Sequence, residues 1–333
     1  MGVHDYATIS SRIRVLECAL PDKTDLERML DAPGFEEAFK VLNDTDYSNN
    51  LLDIEPIQFK TALEKDSLDL KRTLNQDMPS PQLHELLFCS FDWHNIKVLL
   101  KTKLGQVDLP KESLSYLGVL SPEKLKSWIL ENQIYIDIPK SFHETVDRIL
   151  KQVQKKEELY LIDFLSDKAR LNHQLQLAQQ IKNKNIVQYV EFLIKQAHSK
   201  WVIRSYLLEK PLSFILPHLT ENTVPFGNSW TLAYEENRLE SLIEILQKTS
   251  SAAASEMFEK FKQEPKMKFF EKALNLNQAS FLESLKFVAF GPEVVIAYFE
   301  KKMNALHNVK TILTGQQNGL TRSQIQERLK LPY

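Results

Sequence analysis

The sequence predicts an all-α protein, and three observations say so. Glycine occurs only 8 times in 333 residues while Leu, Lys, Glu and Gln abound, so most of the chain is built from residues that lose little in a helix. Apolar residues recur every three or four positions, and no stretch alternates apolar and polar residues long enough to compete as a strand. The prolines gather at a few places, where they read as joints between helices.

Residues 5–20 form a first helix with Ile9, Ile13, Leu16 and Leu20 on one face. Thr24 and Glu27 read as the capping box of a second, in which Leu26 and Leu30 recur four apart. Asp31-Ala-Pro-Gly34 stops it, 35–42 is a short helix, and 43–56 is irregular. A helix over 57–77 ends at Pro79-Ser-Pro81, and the chain opens again after Gly105. Ser121-Pro122 is a helix start, with a hydroxyl N-cap, proline in the first turn and Leu120 placed to staple onto Leu125. Residues 140–153 hold Phe142, Val146, Ile149 and Val153 within one arc, and long helices follow at 157–181 and 186–208. Pro211, Pro217 and Pro225, with Gly227 and Asn228, mark a break. Beyond it helices are expected at 230–248, 252–263, 266–274 and 278–290, with Pro265 stopping the second. Gly291-Pro292 starts one that runs to 314, and Thr321 with Gln324 caps the last, Leu320 stapling Ile325.

Lys and Arg number 42 against 44 Asp and Glu, a formal net charge of −2. So balanced a chain has no global field to hold a nucleic acid. Cys18 and Cys89 fall in apolar helical patterns and read as small buried hydrophobes in a reducing compartment, not as a disulfide or a metal clamp. The opening MGVHDYATIS lacks the basic start and apolar core of a signal peptide, and no uncharged apolar run approaches bilayer length. The expectation is a soluble, cytoplasmic protein that touches membranes only through a partner.

The chain is organised around residues 83–103, LHELLFCSFDWHNIKVLLKTK. At about 100° per residue, Phe88, Phe91 and Leu99 share a stripe, with Asn95 in its middle and Asp92 on its flank. A polar pair inside an apolar face is costly unless it is hydrogen-bonded. Two readings stay open: a bonded pair that locks helix register, or the floor of a groove receiving a partner's helix. Lys97 and Lys101 lie four apart on another side. The pattern returns twice, loosely. NVKTIL from Asn308 parallels NIKVLL from Asn95, with Lys310 in the place of Lys97, and HSKWVIR from His198 keeps Lys200 two residues on. Spacings of 103 and 110 residues between the three anchors suggest three helical units, 1–104, 105–208 and 209–333.

Catalytic signatures are scarce. His143-Glu144-Thr-Val-Asp147 lacks the second histidine of a zinc-protease helix, and Gly315-Gln-Gln-Asn-Gly319 has no Lys-Ser/Thr after it to make a phosphate loop. No nucleophile elbow or dinucleotide fingerprint occurs, and the 8 histidines are scattered. Glu157-Glu158 and Glu235-Glu236 read as solvated carboxylates, and Lys155-Lys156, Lys266 to Lys268 and Lys301-Lys302 as exposed charge runs. Phe88, Phe91, Phe142, Phe287 and Tyr298 have core spacing, not the grouping of a cofactor box. No cofactor or metal is expected.

Laid out in order, these motifs resemble the C subunits of bacterial and archaeal V-type (A/V-type) ATPases, a family whose eukaryotic members are called d subunits. The likeness runs through Tyr6–Glu17, where Arg12 and Arg14 stand at arginine positions of the family, then Asp44 to Tyr47 and Asp92-Trp-His-Asn95-Ile-Lys97. It continues with Ile162-Asp163, Asp167-Lys168, Gly291-Pro292-Glu293, Tyr298, Asn308-Val-Lys310, Asn318-Gly319-Leu320 and Ile325 to Leu329. The chain departs from the pattern at Ala305, where a glutamate is usual, at Lys310, where arginine is, and at Lys195 and His198 in the middle repeat.

The resemblance implies a funnel of three similar helical bundles about a pseudo-threefold axis. It implies a non-catalytic central-stalk protein on the cytoplasmic face of the membrane, receiving the D and F subunits of the shaft and sitting on the rotor ring of proteolipid c/K subunits. The a/I subunit of the stator is a further neighbour, and no nucleic acid or direct membrane insertion is implied. Arg12, Arg14, Asp92, Asn95, Lys97 and Lys310 are the candidate partner-binding residues. The alternative is a free-standing helical-repeat scaffold for cytosolic proteins.

Overall fold

The computed structural model describes residues 3–51, 54–153, 158–219 and 229–330. Among them the chain is helical, with short 3-10 turns and no strand. The first α-helices are α1 (Ala7–Glu17), α2 (Lys23–Asp31), α3 (Phe35–Val41), α4 (Phe59–Asp77) and α5 (Pro81–Gly105). Next come α6 (Pro122–Glu131), α7 (Lys140–Gln152), α8 (Tyr160–Ile181), α9 (Lys184–Leu207) and the single turn α10 (Leu212–Ile215). The last are α11 (Ser229–Glu235), α12 (Leu239–Gln247), α13 (Ala252–Gln263), α14 (Met267–Leu285), α15 (Pro292–Gln317) and α16 (Arg322–Gln326). By internal contact the chain forms two compact units, one of 1–79 with 249–333 and one of 80–248. The repeat pattern divides the chain by similarity and contact divides it by packing, so the two sets of limits differ.

The first unit is built around α15. Leu306, Val309, Ile312 and Leu313 meet Met29, Phe39, Leu42 and Phe59 from α2 through the start of α4. Each such side chain, fully removed from water, contributes about 1.5–3 kcal/mol. Gly315 lets α16 close on α15, since a Cβ there would fall 2.6 Å from Ile325 Cγ1. On the other flank α13 and α14 pair through Phe258 and Phe261, whose rings lie 5.5 and 5.4 Å from that of Phe270.

In the second unit α5 packs on α6 and α8. Trp93, Ile96, Leu99 and Leu100 face Leu125, Ile129, Phe142, Val146 and Ile149, with Phe142 stacked on Trp93 at 5.0 Å. With few glycines available, α5, α6 and α8 stop at left-handed Gln106, Asn132 and Lys182. Each of these accepts a strain that glycine would avoid.

Several local expectations are revised by what the side chains do. The cap of α2 is Asp22, which accepts from Asp25 N at 2.9 Å while Asp25 accepts from Asp22 N, so the box lies two residues before the Thr24–Glu27 spacing. The helix expected over 230–248 is broken between α11 and α12, where Asn237 turns left-handed at φ 54°. The two helices expected over 266–290 are one, α14, up to Leu285. Asn277, in the expected gap, lies within α14, and its amide donates to Ser250 Oγ and accepts from Ser251 N at the start of α13. Cys18 is exposed past the end of α1, and Phe287 is 83 % exposed in the turn after α14. Lys302, expected at the surface, is 2 % exposed. The break at Pro225, Gly227 and Asn228, the Lys155-Lys156 pair and Glu157 lie outside the described residues.

Candidate functional site

The helix α5 carries three of the six candidate residues, and the structure gives its polar pair a definite use. Asn95 is fully buried. Its Nδ2 donates to Ser115 O at 2.8 Å, and Ser115 N donates back to its Oδ1 at 2.7 Å. One turn earlier Asp92, 1 % exposed, accepts from Val119 N at 3.0 Å and Leu120 N at 2.9 Å. These amides belong to the non-helical segment leading into α6, which the two side chains hold against α5. Hydrogen bonds to an ionised carboxylate are among the stronger ones, and a buried acceptor of this kind is costly to strand. Of the two readings left open by the sequence, the bonded pair is the one this geometry matches: both side chains face the chain's own backbone.

The same device occurs again on α15. Asn308, 1 % exposed, donates through Nδ2 to Lys330 O at 2.7 Å and accepts from Lys330 N at 2.8 Å. Asn95 and Asn308, aligned by pattern, thus each clasp a residue 20 or 22 positions downstream through both amide groups. The second clasp has no companion carboxylate, because Ala305 stands where Asp92 would be. His198, at the middle anchor, is fully buried beside Trp201, ring centroids 5.3 Å apart.

On the outer side of α5, Lys97 donates to Asp167 at 2.7 Å and lies 3.8 Å from Asp163, while Lys101 donates to Asp163 at 2.8 Å. Two lysines one turn apart therefore meet two aspartates one turn apart on α8, a complementarity read from the i, i+4 spacing of both. Trp93 Nε1 donates to His173 Nδ1 at 3.3 Å, and His173 Nε2 lies 3.1 Å from Glu85, so that ring also ties α8 to α5.

Arg12 and Arg14 lie on α1. Arg12 pairs with Asp77 of α4 at 2.5 Å. Arg14 donates to Glu17 and to the carbonyl of Val288, both at 2.8 Å, and Glu17 also accepts from Lys301 at 3.0 Å. Arg14 thereby pins the turn that displays Phe287 and Phe290. Lys310 is exposed on α15 and pairs with no described carboxylate. His143 packs its ring on Trp128 at 4.3 Å. Among the described residues no three His, Cys, Asp or Glu side chains come together as a metal site, and no helix is long and apolar enough to cross a membrane.

The fold is all-helical and its long helices are clasped to irregular segments, and the class of the protein follows from its similarity to known proteins. The chain belongs to the ATP synthase (C/AC39) subunit family, whose model matches residues 9–328. It is 21 % identical over 332 residues to the C subunit of the V-type sodium ATPase of Enterococcus hirae, covering 99 % of both chains. It is 30 % identical over 132 residues to the C subunit of the A-type ATP synthase of Methanocaldococcus jannaschii, covering 36 % of this chain and 33 % of that one. Membership makes it an accessory subunit of a V/A-type ATPase.

Proposed function

We propose that this chain is the non-catalytic central-stalk subunit of a V/A-type rotary ATPase or synthase. It acts as a cytoplasmic socket that receives the D/F shaft and rests on the proteolipid c/K ring, passing torque between ATP turnover and H⁺ or Na⁺ transport. The observation that carries this reading is the match to the family over essentially the whole chain. Ion selectivity belongs to the ring and is outside this chain's chemistry.

Torque transmission needs a body that does not yield, and close-packed helical interiors have low compressibility. The clasps serve the same end: irregular segments after α5 and α16 are bound at defined atoms instead of riding free. The three repeats anchored at Asn95, His198 and Asn308 are proposed to close into a hollow body around the shaft. Arg12, Arg14, Lys97 and Lys310 are proposed as charged contacts at its rims, while Asp92 and Asn95 act through the segment they hold.

The test is association. Purified chain and D/F shaft complex, mixed at micromolar concentration and low salt, are expected to co-elute as one species. Failure to associate overturns the socket reading and favours a free-standing scaffold. Small-angle scattering on the chain alone tests closure, since an extended solenoid and a closed funnel differ in radius of gyration.

A further inference from the structure

Lys302 is an unusual residue for the middle of a helix bundle. Its ammonium lies 2.6 Å from Asp46 Oδ2, 2.8 Å from Asp66 Oδ2 and 4.0 Å from the centre of the Tyr47 ring. Asp46 and Tyr47 come from the irregular segment after α3, Asp66 from α4 and Lys302 from α15, so the cluster joins three separate parts of the first unit. Its members are buried: the two aspartate side chains keep 14 % and 8 % of their exposure, and Tyr47 none.

The charges do not balance. One ammonium faces two carboxylates, so the fully ionised cluster carries one net negative charge in a place that solvates it poorly. Among the described residues, none nearby supplies the missing cation. Tyr298 on α15, Glu17 on α1 and Asp69 on α4 are neutral or acidic, and Arg12 on α1 is already paired with Asp77. Nor is the hydrogen bonding complete. Among the described residues nothing donates to Asp46 Oδ1 or pairs with the Tyr47 hydroxyl.

We propose that Asp46, Asp66 and Lys302 form a one-proton site, in which the folded unit takes up a single proton from solvent on the carboxylate pair as the medium becomes mildly acidic, and is tightened by it. The added proton cancels the surplus charge and turns one buried acceptor into a donor. Burial is the dominant influence on both carboxyls. It raises Asp66 to about 6 and Asp46 in the same direction, with Lys302 opposing each. In the unfolded chain both titrate near the ordinary aspartate value of about 3.9. Between that value and about 6 the folded state therefore holds a proton that the unfolded state lacks. Stability from this site grows as pH falls through 6 and levels off near 4, the opposite of an aspartate stabilised as its anion. The proposal concerns the isolated chain and does not depend on the rotary reading.

Carbon-13 NMR of the full chain labelled at aspartate carboxyls tests it without any substitution. One aspartate signal is expected to titrate near pH 6, well apart from the exposed ones, and to vanish in Asp66→Asn. Hydrogen exchange of the α15 amides should show wild type better protected at pH 5 than at pH 7.5 after correction for intrinsic exchange, whereas Asp66→Asn, a neutral mimic, shows no such gain. If Asp66→Asn does not fold, Asp46→Asn provides the comparison: removing the neighbouring charge should move the Asp66 titration to lower pH. A chain in which every aspartate titrates in the ordinary range, or in which wild type and variant share one pH profile, overturns the proposal.

Discussion

Gly118 lies against the Asp92 carboxylate so closely that a Cβ placed on it would fall 2.1 Å from Asp92 Oδ1. The carboxylate cannot retreat freely, because its two oxygens hold the amides of Val119 and Leu120. Gly118→Ala is therefore expected to destabilise the 80–248 unit by about 1–3 kcal/mol, the usual cost of forcing an extra carbon into a packed site. All four tryptophans, Trp93, Trp128, Trp201 and Trp230, lie in that unit. Urea unfolding followed by tryptophan fluorescence reads the change, and an unmoved midpoint would show that the segment shifts at no cost.

Asn95→Leu roughly keeps the side chain's volume but leaves Ser115 without either of its amide partners. A loss of roughly 1–3 kcal/mol is expected, together with faster hydrogen exchange at the Ser115 amide. Asn308→Leu should do the same at the Lys330 amide. Protection unchanged at either amide would refute the clasp at that site.

Lys97→Met separates an internal ion pair from a partner contact. The Lys97 and Asp167 side chains are 21 % and 28 % exposed, so solvent and salt screen much of their attraction. A loss of up to about 1 kcal/mol is expected at low salt, shrinking as salt is added. If shaft association weakens in the variant while its unfolding is unchanged, Lys97 meets the partner directly.

The two thiols should differ in reactivity. Cys18 is exposed, whereas Cys89 is buried and desolvation pushes its thiol well above the ordinary range, where little thiolate exists at neutral pH. Ellman's reagent should titrate one thiol in the native protein and two in denaturant. Two fast thiols in the native state would mean that α5 opens readily.

Most helices were legible because their signals are local. Ser121-Pro122 and Thr321 with Gln324 cap their helices as their spacing predicts, since a cap involves groups within three residues. The alignment of Asn95 with Asn308 also pointed to a repeated device, and both clasp backbone. Where local signals competed, the reading failed. Asp22 displaced Thr24 as a cap, and Asn237 ended a helix that its apolar pattern would have continued. The gap expected between 274 and 278 is helical, and Asn277 inside it is bonded to residues 26 and 27 positions away, which no local window contains.

The sequence by itself determined an all-helical, nearly neutral chain, because composition and periodicity are additive along the chain, and its likeness to relatives determined its family. Only the tertiary structure decided where each charge ends up. Lys302 reads like its neighbour Lys301 yet lies in the core, because two aspartates far earlier in the chain, Asp46 and Asp66, converge on it. Whether a charge can be buried depends on partners brought together by folding, and that is a property of packing that no stretch of sequence contains.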